Sequence, residues 1–217
     1  MLIAGAWHTG FAQSATTKTH PPAKPPLDAR WILDYPKEDN TSDNSDVRRD
    51  PKYLPFLKTY LTQKSFFSAG PRSLWQVASE FLGVGSGRVT IYAQRYATIN
   101  GCVAHMCDEL QGFLWVDTVA KPPRVYFAAT KAIDSQGTVE IQKSFQLWIF
   151  ANQALNDDDN GGLEPLPTEF LGPLSDWLGQ LNVAAVMFVG HVGEEIPLLP
   201  GSLHTKQSTN DSAKGSI

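Results

Sequence analysis

The spacing of the apolar residues changes at the glycine-rich stretch Gly83 to Gly87. Before this stretch the apolar residues recur at helical spacing, and after it they recur with a period close to two, which is typical of strands. The strand-like segments are Arg88–Ile99, Phe113–Thr118, Val125–Thr130, Thr138–Phe150 and Val183–Val189. Because most of the connections between them are short, the sequence predicts an antiparallel sheet of about five strands.

Helical patterns lie before and after these strands. Asp50-Pro51 is typical of a helix start, Ser73 opens a second helical segment, and a third is predicted over Phe170–Leu181. Helices gathered on either side of a run of strands indicate an α+β fold. We expect these helices to pack on one face of the sheet.

Composition also divides the chain into regions. Residues 1–12 carry no Lys, Arg, Asp or Glu and end in Gly10-Phe11-Ala12, so we expect them to be the remnant of a secretory signal. Residues 13–50 are rich in proline and polar side chains, which predicts a tether, with a short strand at Trp31–Leu33. We expect residues 51–200 to form the α+β domain and residues 201–217 to form a mobile tail.

The charge of the chain limits its classes of partner. The net charge is −4, which argues against a nucleic-acid-binding protein, and no apolar run is long enough to span a membrane. Residues 144–217 contain 2 basic and 9 acidic residues. This region should therefore favour cationic partners.

The two cysteines of the chain, Cys102 and Cys107, lie at the predicted tip of a hairpin, with His105 between them. Their thiols can bond to each other, bind a metal or stay free. A zinc site needs four ligands, and the sequence has no second cluster of Cys and His to supply them. A bond between the two would close a small ring, which stabilises the fold by only about 2 kcal/mol. Its main effect would be to stiffen the loop.

No arrangement of residues typical of an active site is found in the sequence. Asp108 and Glu109 are adjacent, between two of the predicted strands, and on an extension of a strand they would face opposite ways, which does not suit the acid/base pair of a glycosidase. Gly83 to Gly87 matches neither a nucleophile elbow nor a phosphate-binding loop. We therefore expect a protein that is not an enzyme and that has no metal and no cofactor.

A strand, the loop Cys102-Val103-Ala104-His105-Met106-Cys107 and a further strand together resemble the Ivy family, the periplasmic inhibitors of vertebrate (chicken-type) lysozyme. The similar region runs from about Arg88 to Leu155. The resemblance implies a Cys102–Cys107 disulfide, a loop that enters the catalytic cleft of lysozyme, and a His105 that contacts the two catalytic carboxylates. It also implies a periplasmic or secreted protein that protects the cell wall of a Gram-negative bacterium.

The loop differs from the usual Cys-Lys-Pro-His-Asp-Cys pattern of that family at Val103, Ala104 and Met106. Two kinds of partner therefore stay open. One is lysozyme or a related muramidase, and the other is a further cell-wall-degrading enzyme, such as a lytic transglycosylase, against which the chain would act as an immunity module. We expect Val103, Ala104 and Met106 to supply apolar contact area around His105. A homodimer is compatible with the sequence.

Overall fold

A computed structural model describes residues 27–35, 41–64, 72–83, 87–133, 143–153, 166–179 and 181–203. Within these residues the strands are β1 (Thr41–Asp43), β2 (Arg88–Tyr92), β3 (Tyr96–Cys102), β4 (Leu110–Asp117), β5 (Arg124–Ile133), β6 (Ser144–Ala151), β7 (Asn182–Val189) and β8 (Glu195–Leu198). The α-helices are α1 (Asn44–Arg49), α2 (Tyr53–Tyr60), α3 (Leu74–Phe81) and α4 (Thr168–Leu178). Two 3-10 helices, Arg30–Asp34 and Pro200–Leu203, complete the described elements.

The strands form one sheet in which neighbours in sequence are also neighbours in space. All pairs are antiparallel except β6 and β7, which run parallel. The connection between these two includes α4, as a parallel crossover requires. The fold is therefore α+β with a mostly antiparallel sheet, as predicted.

The predicted count of about five strands is wrong, because the described residues contain eight. The segment predicted as one strand over Arg88–Ile99 is a hairpin, whose turn has positive φ angles at Ala93 and Gln94. Such turns usually contain glycine or asparagine, so this one gives no signal in the sequence. The two edge strands were also missed, because β1 has three residues and β8 contains a proline.

The expectation that the helices pack on one face of the sheet is also wrong. The first 3-10 helix and α1 to α3 cover one face, whereas α4 covers the other. In β4, Leu114 and Val116 pack on the first face, and Phe113 and Trp115 pack on the second. Both faces of the central strands are thus buried, which requires a layer of helix on each side.

Part of the predicted tether 13–50 belongs to the folded domain. Trp31 and Ile32 are buried in a 3-10 helix rather than in the predicted strand, and Val47 of α1 is fully buried. The Tyr60 hydroxyl donates a hydrogen bond of 2.6 Å to the carbonyl of Leu27. Burial of the apolar side chains near residue 30 thus stabilises this segment on the domain, although most of the residues around them are polar. Residues 1–26 and 204–217 lie outside the described residues.

The end of α3 lies unusually close to β3 and β4. A Cβ added at Gly101 would lie 2.8 Å from the Cα of Leu82, and one added at Gly112 would lie 2.8 Å from the Cβ of Phe81. The buried amide of Asn44 donates to the carbonyls of Leu82 and Asn100, at 3.1 and 2.7 Å. These contacts fix α3 against the two strands immediately before they reach the connecting loop.

We expect Gly112→Ala to lower the free energy of unfolding by about 1–3 kcal/mol, because the new methyl group would overlap Phe81. The matched control is Gly172→Ala in α4, where an added Cβ meets nothing within 4 Å. This change should leave stability unchanged or raise it by up to about 1 kcal/mol. Urea unfolding measures both, and equal losses in the two variants would contradict the proposed close packing.

An ion pair joins the residue that precedes β3 to the last residue of β4, at the end of these strands that lies opposite their connecting loop. Arg95 donates two hydrogen bonds, of 2.9 and 2.7 Å, to the carboxylate of Asp117. Burial alone would raise the pKa of Asp117, but the bonds from Arg95 and from the amides of Val119 and Ala120 outweigh it and lower the pKa. The charged form of Asp117 is therefore favoured in the folded state.

We expect Asp117→Asn to lower the free energy of unfolding at pH 7 by about 1–3 kcal/mol, because charge-assisted hydrogen bonds are lost. The pKa of Asp117 is lower in the folded than in the unfolded protein, so its stabilisation is present above the unfolded pKa and lost as pH falls through the folded one. The difference between the two proteins should thus shrink below about pH 4. Denaturant unfolding at several pH values tests this, and a constant difference would contradict it.

Candidate functional site

The connection between β3 and β4 contains the two cysteines and His105. Cys102 is the last residue of β3, and its sulfur is bonded to that of Cys107, with 4.9 Å between the two Cα atoms. Of the three states that the sequence leaves open for the thiols, the structure has the disulfide. We call residues 102–107 the tip loop, which lies at the end of a hairpin as predicted.

The backbone of the tip loop is held by its own hydrogen bonds. The amide of Met106 donates to the carbonyl of Val103 at 3.0 Å, which closes a four-residue turn. His105 occupies the third position of this turn with a φ of +63°, whereas Ala104 before it has no positive φ. This is the pattern of a type II turn, and it is uncommon for histidine. The turn therefore fixes the direction in which the His105 side chain leaves the backbone.

Further hydrogen bonds tie the tip loop to the sheet. The Val103 amide donates to the carbonyl of Leu110 at 3.1 Å, and the Leu110 amide donates to the carbonyl of Met106 at 2.8 Å. The side-chain amide of Gln111 donates to the carbonyl of Cys107 at 2.9 Å. The ordering of this loop is thus completed during folding rather than during binding.

The residues of the tip loop divide into buried and exposed ones. Ala104, His105 and Met106 are exposed, whereas Val103 is only 8% exposed and packs with the core beneath α3. The sequence predicts that Val103, Ala104 and Met106 supply apolar contact area around His105. In the structure, only Ala104 and Met106 of these three are exposed beside His105. Val103 instead packs in the core and links the loop to it.

A lysine neutralises the carboxylate that follows the tip loop. Lys143 lies 2.7 Å from the carboxylate of Asp108, and its hydrogen bond lowers the pKa of that carboxyl group. Asp108 and Glu109 lie in a turn, not on an extension of a strand. Lys143 thus offsets the charge of Asp108, whereas the exposed Glu109 beside it has no ion-pair partner among the described residues.

Two depressions flank the tip loop, one on each face of the sheet. The α4-side groove has a volume of about 250 Å³ and lies between the disulfide and Trp177 of α4. The α3-side cleft has a volume of about 260 Å³ and lies between Met106 and Phe81 of α3. Sequence analysis found neither, because both are formed by residues that only the packing of α3 and α4 brings to the loop.

Other kinds of site find no support in the described part of the chain. Among those residues, no three His, Cys, Asp or Glu side chains converge in a way that could hold a metal ion. Both thiols are oxidised to the disulfide, so neither can act as a ligand or a nucleophile. The same residues include no helix that is long and apolar enough to cross a membrane.

No protein-family model, curated protein or solved structure matches this chain. The resemblance to the Ivy family therefore depends on the loop and strand residues alone.

We expect the double variant Cys102→Ser, Cys107→Ser to lose only about 2 kcal/mol of folding stability, because the ring that the disulfide closes is small. The loop itself should become mobile, since the covalent link between its two ends is removed. Amide hydrogen exchange of Met106 should accelerate strongly, whereas exchange in the centre of β5 should follow the small global change. Unchanged protection of Met106 would contradict a stiffening role for the disulfide.

Proposed function

We propose that this protein is a periplasmic or secreted inhibitor of chicken-type lysozyme, which it inhibits by inserting the tip loop into the catalytic cleft. The observation that carries the proposal is the presentation of His105. Its side chain is exposed, and it stands at the third position of a hydrogen-bonded turn inside a disulfide-closed loop. A side chain presented in this way loses little conformational freedom when a partner binds it.

The chemistry of the target explains why an imidazole is suitable. A retaining glycosidase places two carboxyl groups about 5–5.5 Å apart in a groove, one protonated and one ionised. An imidazole between them can donate a hydrogen bond to one and accept from, or donate to, the other. His105 would then occupy the position of the scissile bond and exclude the substrate.

These hydrogen bonds supply only part of the binding energy. Bonds to charged groups contribute about 1.5–3 kcal/mol each, whereas nanomolar affinity needs about 12 kcal/mol. The remainder must come from apolar contacts around the loop. Met106, which is 37% exposed, is the large apolar side chain next to His105 and adapts well to irregular surfaces.

One feature favours a second candidate, a lytic transglycosylase. The family loop has charged or rigid residues beside the histidine, but here the exposed neighbours are Ala104 and Met106. An apolar tip suits a cleft with fewer charged groups at its walls. Such a target would make the protein an immunity module against another cell-wall-degrading enzyme, with the same loop and the same His105.

We expect the purified protein to slow the lysis of cell walls by chicken-type lysozyme, measured as the decrease in turbidity. The variant His105→Asn should inhibit at least tenfold less strongly, because asparagine tolerates the positive φ of the turn but lacks the imidazole. Its thermal unfolding should match that of the wild type. Other lysozymes and a lytic transglycosylase, assayed in parallel, identify the preferred target.

The matched control is His191→Asn. His191 is also exposed, and it follows β7, whose last residue lies at the opposite end of the sheet from the tip loop. The His191→Asn variant should therefore inhibit the lysozyme as strongly as the wild type does. Equal inhibition by the His105 variant would remove His105 from the mechanism, and no inhibition of any enzyme in the panel would refute the proposed function.

A further inference from the structure

The α4-side groove is lined by aromatic, amide and disulfide groups. It lies where α4 ends, so that the sheet residues beyond Trp177 are not covered by the helix. Two amide side chains, Asn100 and Gln111, line it together with Trp177. Gly87, Gly101 and the disulfide also line it.

The two amide side chains are held in place by hydrogen bonds to the backbone. The Asn100 side-chain oxygen accepts a bond of 2.6 Å from the amide of Arg88, and the Gln111 side-chain nitrogen donates one of 2.9 Å to the carbonyl of Cys107. Their other polar atoms, Nδ2 of Asn100 and Oε1 of Gln111, make no hydrogen bond to any described residue. The groove thus offers a fixed donor and a fixed acceptor.

Trp177 supplies the apolar part of the groove. Its ring stacks on Phe113, with 5.2 Å between the ring centres and an angle of 24° between the planes. This stacking fixes the orientation of the indole, which is partly exposed and lines the groove. A rigid aromatic surface beside fixed amides suits a ligand with one apolar and one hydrogen-bonding side.

Among the described residues that line the groove, none carries an ionisable group, since both cysteines are in the disulfide. An anionic or cationic ligand would find no opposite charge on these residues, and the cost of removing it from water would not be offset. A pyranose ring meets the requirements: its C–H face is apolar, and each of its hydroxyls both donates and accepts. The volume of about 250 Å³ is near the lower limit for small-molecule sites and suits about one sugar ring.

We infer that the α4-side groove is a carbohydrate-binding site that takes a neutral pyranose ring. The ring lies against Trp177, and its hydroxyls accept from Asn100 Nδ2 and donate to Gln111 Oε1. The groove shares the disulfide with the tip loop, so a bound glycan would lie at the base of the loop that carries His105. This inference does not depend on inhibition of lysozyme, because the groove contains neither His105 nor Met106.

The experiment is a titration of the ¹⁵N-labelled protein with triacetylchitotriose and, separately, with cellotriose, followed by NMR. We expect saturable shifts of the Trp177 indole N–H and of the Asn100 and Gln111 side-chain amides, with a Kd of about 1 mM for either sugar. Tighter binding of triacetylchitotriose indicates a cell-wall type of glycan, and tighter binding of cellotriose another neutral glycan. Both results support the proposal, whereas the absence of saturable shifts with both sugars overturns it.

Two variants test the residues. Trp177→Ala removes the aromatic surface, and Asn100→Asp keeps the oxygen that accepts from Arg88 while replacing the free donor by an acceptor. Each variant should weaken sugar binding at least fivefold. If Trp177→Ala does not fold, Asn100→Asp still tests the groove. The control is Trp75→Ala, because Trp75 lies on α3, on the other face of the sheet, beside Lys58. Binding that survives Trp177→Ala and Asn100→Asp overturns the proposal.

Discussion

The close contact between the end of α3 and the strands β3 and β4 determines where the tip loop lies. Glycines at 101 and 112 allow the backbone around Phe81 and Leu82 to approach to distances that no Cβ would tolerate. The buried amide of Asn44 then joins the carbonyl of Leu82 to that of Asn100. Because both strands lead directly into the loop, its base is fixed by packing before the disulfide acts on its tip.

The disulfide and the turn extend this rigidity to His105. The buried Val103 links the loop to the core, and Lys143 neutralises Asp108 beside it. The exposed part is thereby reduced to a short segment around one imidazole. The proposed inhibition by steric blockage needs such a segment, since a flexible loop would lose much of its binding energy to ordering. The α4-side groove gives the same end of the molecule a second kind of recognition chemistry.

Sequence reasoning succeeded where the signals are local. The helical segment predicted to open at Ser73 is α3, whose N-cap is Ser73, and the period of two located the central strands. It failed where contacts between residues distant in sequence determine the structure. The turn at Ala93 and Gln94 carries no turn residues, and the side on which α4 packs follows from the parallel crossover. Trp177 is far from the cysteines in sequence, so no pattern could place it beside the tip loop.

The hydrogen bonds that hold the tip loop are made by backbone groups and by the side chain of Gln111, and none of them involves the side chains of Ala104 and Met106. Neither side chain packs in the core, so both positions are free to change at little cost to folding. Evolution can therefore vary the chemistry on either side of the imidazole while the scaffold is conserved. Under the proposed function, a lineage that carries this fold could follow an enzyme that mutates its cleft by exchanging two residues, without rebuilding the domain that supports them.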